Sequence, residues 1–167
     1  CIRYRYVSAQ KWVDLVARLA GPSRLWNTGF QLGDWLDPAA PPHDPADATT
    51  DRYLVATAYF AWSSLHLAKM AEVLGRGEDA ATYARLAAEV REAFRGEYVT
   101  ASGLLSSDAQ TAYALAIEFE LYADLAERDV WGARLAELVR AGGNRIATGF
   151  AGTPLITDAL TRSGPVS

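Results

Sequence analysis

Apolar residues recur at intervals of three and four through most of this chain, and no segment has the alternating pattern of a strand. Residues 78–95 are the clearest case, because Tyr83, Leu86, Val90 and Phe94 share one helical face and the charged residues share the other. Glycine or proline ends several of these segments. The sequence therefore predicts an all-α domain of helical hairpins, with helices over residues 8–20, 50–74, 78–95, 108–122 and 127–141 and a last one starting at Leu155.

The sequence also predicts where several helices start and which faces they bury. Thr50 is expected to cap the second helix, which is apolar on two sides, and the turn at 74–77 joins it to the third. Ser106 or Ser107 is expected to cap the fourth helix. The expected buried face of the first helix consists of Trp12, Leu15, Val16 and Leu19.

Size and charge limit the classes of function. A chain of 167 residues, half of them apolar, suits one globular domain. A net charge of −4 without a cluster of Lys and Arg argues against a nucleic-acid partner. No apolar run is long enough to span a membrane, and the single cysteine, Cys1, cannot form an internal disulfide. Because the chain lacks an initiator Met, we expect it to be part of a longer protein, either cytoplasmic or secreted.

The stretch TGFQLGDWLDP, residues 28–38, lies in a connection too long for a purely structural loop in a compact domain. It presents Trp35 beside Asp34 and Asp37, and Pro38 prevents a helix from running through it. An indole and a carboxylate suit a sugar, because the ring covers its C–H face while the carboxylate accepts hydrogen bonds from its hydroxyls. Packing of Trp35 and a turn role for Asp34 are the plainer interpretation.

Other polar or glycine-rich stretches favour structural roles. Gln110 is expected to bond to backbone in a loop, and close backbone approach explains ATGFAGTP, residues 147–154. We further expect residues 28–37 to be ordered by packing of Trp26 and Phe30 against helix ends. His43 and His66 have no second metal ligand at a fitting spacing, so neither a metal nor a cofactor is predicted.

The succession KWVDLV, GDWLDP, TAYFAWSSLHLAKMAEVLG, QTAYAL and TGFAGTP resembles the catalytic domain of bacterial α-L-rhamnosidases of glycoside hydrolase family 78. The resemblance extends from about residue 6 to residue 164. It implies that residues 1–167 are about half of a single (α/α)6 six-hairpin barrel. It also implies an inverting hydrolase that releases terminal α-L-rhamnose from a rhamnoside substrate.

Site residues follow from the same resemblance. Trp35 corresponds to an aromatic wall of the rhamnose pocket, and Asp34 to its polar partner or to a residue that fixes the loop. Inversion requires an acid and a base about 6.5–9.5 Å apart. The family motifs that carry them would precede Cys1 and follow Ser167, so no catalytic residue is expected within this chain. The remainder of the parent protein is then an expected partner, as is self-association through apolar faces, chiefly that of the second helix.

Two alternatives remain at this point. One is a different sugar-active barrel, such as a phosphorylase with its own GDW loop. The other is a non-catalytic helical-repeat interaction module of the tetratricopeptide kind, because residues 78–95 are similar to half of one repeat. No unit recurs at the period of about 34 residues that such a module needs.

Overall fold

The computed structural model describes residues 2–163, with side chains from residue 4 onwards, so Cys1 lies outside the described residues. Within that part the chain is helical, and its only β pairing is an isolated bridge between Val99 and Leu105. The number and order of helices are as predicted. They are α1 (Ile2–Ala20), α2 (Arg52–Val73), α3 (Gly77–Tyr98), α4 (Gln110–Glu118), α5 (Leu125–Ala141) and α6 (Ile156–Arg162), with a short 3-10 turn at Gly21–Ser23.

The α2–α3 hairpin organises the core. Its turn contains Gly75 with φ +70, a backbone angle that glycine adopts without strain. The predicted inner face of α3 is confirmed, with Val90 and Phe94 fully buried. The α2 helix is buried on two sides as predicted, because it packs against α1 and α4 as well as α3. A second group of contacts joins α4, α5 and α6.

The predicted buried face of α1 is largely wrong. Trp12 and Leu19 are about half exposed, at 50% and 52%, whereas Tyr6 and Val13 are buried. The reason is that α1 carries apolar residues on both sides. Periodicity finds both stripes but does not say which one meets α2.

Two predicted caps are also wrong. Asp51, not Thr50, caps α2, because its carboxylate accepts hydrogen bonds from the main-chain N–H groups of residues 53 and 54. No serine side chain caps α4. Ser107 instead accepts a hydrogen bond from the Asp51 N–H at 3.0 Å, which ties the start of α2 to the loop before α4. None of the described helices is both long and apolar enough to cross a membrane.

Candidate functional site

Both glycine-aromatic loops meet at one end of the helices. The first loop connects the 3-10 turn to α2 through residues 24–51, and the second precedes α6 at residues 144–155. Hydrogen bonds join residues 34 and 35 of the first loop to residues 149–152 of the second. The start of α4 lies against both, through the Thr111 hydroxyl. The structure thus brings together three of the five stretches that carry the resemblance, GDWLDP, QTAYAL and TGFAGTP.

Asp34 is the centre of this contact. Its side chain is fully buried, and its two carboxylate oxygens accept four hydrogen bonds from within the chain. The Oδ2 atom accepts from the Thr111 hydroxyl at 2.5 Å and from the Gly149 N–H at 2.7 Å. The Oδ1 atom accepts from the N–H groups of Ala151 and Gly152 at 3.0 and 3.2 Å. We call this arrangement the Asp34 clamp.

Two glycines allow the loops to come this close. A Cβ on Gly149 would lie 2.3 Å from the Asp34 carbonyl oxygen and 2.5 Å from that of Trp35. A Cβ on Gly152 would lie 2.2 Å from the Thr111 hydroxyl oxygen. Close backbone approach, the expected reason for glycine in this loop, does occur, but the expectation that the approach is between helices is wrong. The approach is to a loop and to a helix start rather than between two helices.

Trp35 is half-buried and lies outside the hydrophobic core. Its carbonyl oxygen accepts a hydrogen bond of 2.7 Å from the Phe150 N–H. The next residue, Leu36, has φ +64 and donates its N–H to the Pro45 carbonyl at 3.0 Å. Main-chain bonds on both sides therefore hold the backbone that carries the indole.

Asp37 holds the first loop to itself. Its carboxylate accepts hydrogen bonds of 2.8 Å from the N–H groups of Ala39 and Thr49, and it is almost fully buried. Asp37 therefore has a structural role in this loop, next to Pro38. Phe30 does not contribute to this order, because it is 79% exposed, and the expectation that it packs against helix ends is wrong.

Gln110 orders the second loop. This buried side chain donates to the Arg145 carbonyl at 3.2 Å and accepts from the Ala147 N–H at 2.9 Å. The predicted backbone-bonding role of Gln110 is confirmed. Within the same loop, the hydroxyls of Thr148 and Thr153 lie 2.8 Å apart.

An aromatic cluster lies beside the clamp and was not anticipated from the sequence as a unit. Tyr59 and Trp62 on α2 each contact Phe119, with ring centroids 5.1 and 5.4 Å apart. Burial, and secondarily the negative charge of Asp34, raises the pKa of Tyr59. Helical spacing predicts that Tyr59 and Trp62 lie on the same helix. It does not predict that Phe119, at the end of α4, contacts them. Nearby, Trp12, Trp26 and Tyr59 line a cleft of about 190 Å³.

The histidine His66 belongs to the edge of this cluster. Its ring lies 4.0 Å from that of Trp62, and its Nδ1 is 2.9 Å from the Trp62 carbonyl oxygen. Among the described residues, no group of three or more His, Cys, Asp or Glu side chains is arranged to hold a metal ion.

Comparisons with known proteins agree with this arrangement. Residues 1–167 match the family described as the bacterial alpha-L-rhamnosidase 6 hairpin glycosidase domain. An α-L-rhamnosidase of Streptomyces avermitilis is 38% identical over 132 residues, which cover 79% of this chain and 12% of that protein.

Solved structures are similar as well. The crystal structure of native α-L-rhamnosidase from Aspergillus terreus has a TM-score of 0.92 and 34% identity, covering 96% of this chain and 19% of that one. The crystal structure of the Streptomyces avermitilis α-L-rhamnosidase complexed with L-rhamnose has a TM-score of 0.84 and 32% identity. The match covers 98% of this chain and 15% of that one. The chain thus spans less than a fifth of the length of these relatives.

Proposed function

The chain belongs to the bacterial α-L-rhamnosidase six-hairpin glycosidase family, and we propose that its parent protein hydrolyses terminal α-L-rhamnosyl groups. We propose further that residues 1–167 are part of one (α/α)6 catalytic domain. The helical fold and the 34% and 32% identities to solved α-L-rhamnosidases support this proposal. Membership in the family argues against the helical-repeat alternative, since the whole chain matches a glycosidase domain.

Within the substrate site we propose that Trp35 contacts the sugar and that Asp34 fixes the loop. The Asp34 carboxylate supports this assignment of roles, because it is fully buried and already accepts four hydrogen bonds. An ionised carboxylate has about four acceptor sites, so none remains for a sugar hydroxyl. Trp35, by contrast, is partly exposed and its main chain is held on both sides, so we propose its indole as the face that stacks on the sugar.

The proton-transfer groups are proposed to lie elsewhere in the parent protein. Inverting hydrolysis needs one carboxyl group to protonate the leaving oxygen and another to activate water on the opposite face of the sugar. Asp34 and Asp37 are committed to loop hydrogen bonds, and Asp51 caps α2. These three carboxylates are therefore poorly placed for either task.

The test replaces Trp35 in the parent enzyme and measures hydrolysis of a chromogenic α-L-rhamnoside. Trp35→Ala removes the stacking face and should lower kcat/KM by roughly 10- to 100-fold through lost positioning. The matched variant Trp35→Phe keeps an aromatic face and should retain most of the activity. Both variants should keep the same pH profile, because neither removes a proton-transfer group. Unchanged kinetics for Trp35→Ala would contradict the assignment.

A further inference from the structure

We propose that Asp34 is a positioning residue that sets the place of the Trp35 indole by binding α4 and the turn before α6. This inference rests on the proposed function, because it concerns the same sugar site. It goes further because it names Thr111 and residues 149–152 as the groups that determine where the Trp35 indole lies. Asp34 itself makes no contact with the sugar in this scheme.

Hydrogen bonds hold the Asp34 carboxylate in one orientation. Four donors surround it in the buried interior, at distances of 2.5 to 3.2 Å. A buried carboxylate is stable only if its oxygens are hydrogen-bonded, so the side chain cannot rotate away without losing these bonds. Fixing the Asp34 side chain also restrains the main chain of residue 34. Trp35 is the next residue along the chain and is restrained with it.

The groups that donate hydrogen bonds to the Asp34 carboxylate are themselves rigidly held. Thr111 is the second residue of α4, in which every residue from Gln110 to Ile117 is buried. Its donor is therefore attached to the core of the domain and not to a mobile surface. The three N–H donors come from the turn that leads into α6, and α6 packs against α4.

At Gly149 the two loops leave no free space between them. The Gly149 Cα lies so close to the main chain of residues 34–37 that even a methyl group would overlap it. The Phe150 N–H bonds directly to the Trp35 carbonyl, so the turn holds Trp35 as well as Asp34. A movement of the turn therefore has to move the tryptophan.

A purely stabilising role for Asp34 makes a different prediction from a positioning role. Lost stability lowers the folded fraction but leaves kcat and KM of the folded enzyme unchanged. Lost positioning changes the kinetics of the folded enzyme, and it does so only while the Trp35 indole is present. A double-mutant cycle between Thr111 and Trp35 separates the two.

The experiment uses the parent enzyme, with folding checked by circular dichroism well below the melting temperature. Thr111→Val removes the hydroxyl donor at nearly constant volume and should lower kcat/KM about tenfold. Thr111→Ser keeps the donor and should stay near wild type. In the Trp35→Ala background, Thr111→Val should have almost no further effect. Thr111→Ala, which adds no bulk, replaces the valine variant if the latter does not fold.

Each outcome decides between the two proposals. Loss of activity that depends on Trp35 supports the positioning role. A normal Thr111→Val enzyme, or an effect that adds fully to that of Trp35→Ala, overturns the positioning role and leaves the proposed function intact. Trp35→Ala with unchanged kinetics overturns both.

Discussion

Gly149 is the residue at which the two loops are packed most tightly. Its backbone angles are not in the left-handed region, so glycine is required there for space and not for conformation. The neighbouring atoms belong to the main chain of residues 34–37, which cannot rotate aside as a side chain can. Overlap with main chain has to be relieved by moving a loop, and that movement is costly.

We expect Gly149→Ala to lower the free energy of unfolding by about 1–3 kcal/mol, the usual cost of overpacking. Gly96→Ala is the matched control, because Gly96 lies in α3 and no atom beyond the neighbouring helix backbone would come within 4 Å of an added Cβ. Alanine in a helix should leave that variant equal to wild type or more stable by up to about 1 kcal/mol. Thermal unfolding followed by circular dichroism measures both, and equal melting temperatures would contradict the expectation.

At the scale of elements, the contact between α4 and α6 contains a carboxylate in an unfavourable place. The Glu118 side chain is 9% exposed, and the Arg162 Nε lies 3.2 Å from its Oε1 without hydrogen-bonding geometry. Burial raises the pKa of Glu118 above its ordinary value of 4.5, and the charge of Arg162 only partly opposes this. The folded protein therefore holds the Glu118 proton to higher pH than the unfolded chain does.

This direction sets the sign of a pH effect. The stabilisation linked to protonated Glu118 is fully present below pH 4.5 and is lost as the pH rises through the higher pKa of the folded state. Glu118→Gln, which stays neutral, should therefore raise the melting temperature more at pH 7 than at pH 4, relative to wild type. Glu97→Gln, at an exposed position on α3, is the control and should not show this difference. A larger gain in melting temperature at pH 4 than at pH 7 would contradict the raised pKa of Glu118.

In the molecule as a whole, α1 carries more of the exposed large apolar side chains than any other described helix. The outer face of that helix presents large apolar side chains that are between 41% and 84% exposed: Tyr4, Val7, Trp12, Leu15 and Leu19. The expectation that α2 carries the main patch is wrong. Its contacts with α1, α3 and α4 bury most of its apolar residues, and of its large apolar side chains Val73 is 75% exposed and Trp62 is 37% exposed.

We expect the isolated 167-residue chain to self-associate through this α1 face, because contiguous apolar patches favour association. Light scattering over a range of concentrations measures the average mass. The double variant Trp12→Gln with Leu19→Gln should shift the chain toward monomer. Val73→Gln, which removes an exposed apolar side chain outside the α1 face, should not. Monodisperse monomer at high concentration of the unmodified chain would contradict the expectation.

We also expect the isolated chain to have no α-L-rhamnosidase activity. Enzymes lower reaction barriers by roughly 8–23 kcal/mol, and acid–base groups with electrostatic stabilisation supply much of that. The proposed site around Trp35 would offer stacking, but Asp34 and Asp37, the carboxylates beside it, are occupied by loop hydrogen bonds. Incubation with a chromogenic α-L-rhamnoside at high protein concentration tests this. Turnover by the isolated chain above the rate of the reaction without protein would contradict the expectation.

Features that depend on neighbouring residues were predictable from the sequence. Apolar spacing predicted the six helices and the buried face of α3, since one helical turn brings residues three and four apart together. Glycine and proline marked the two long loops, because these residues restrict or widen the backbone angles locally. The same local order placed Trp35 beside Asp34, on which the predicted sugar site depends.

The buried face of α1 and the binding partners of Asp34 depend instead on how the helices pack. Both stripes of α1 satisfy helical periodicity, and the choice between them depends on how α2 packs. The donors to Asp34 come from Thr111, 77 positions away, and from residues 115 to 118 positions away. No local rule links residues at such separations. Their meeting depends on the packing of α4 and α6, which brings both loops to one end of the helices.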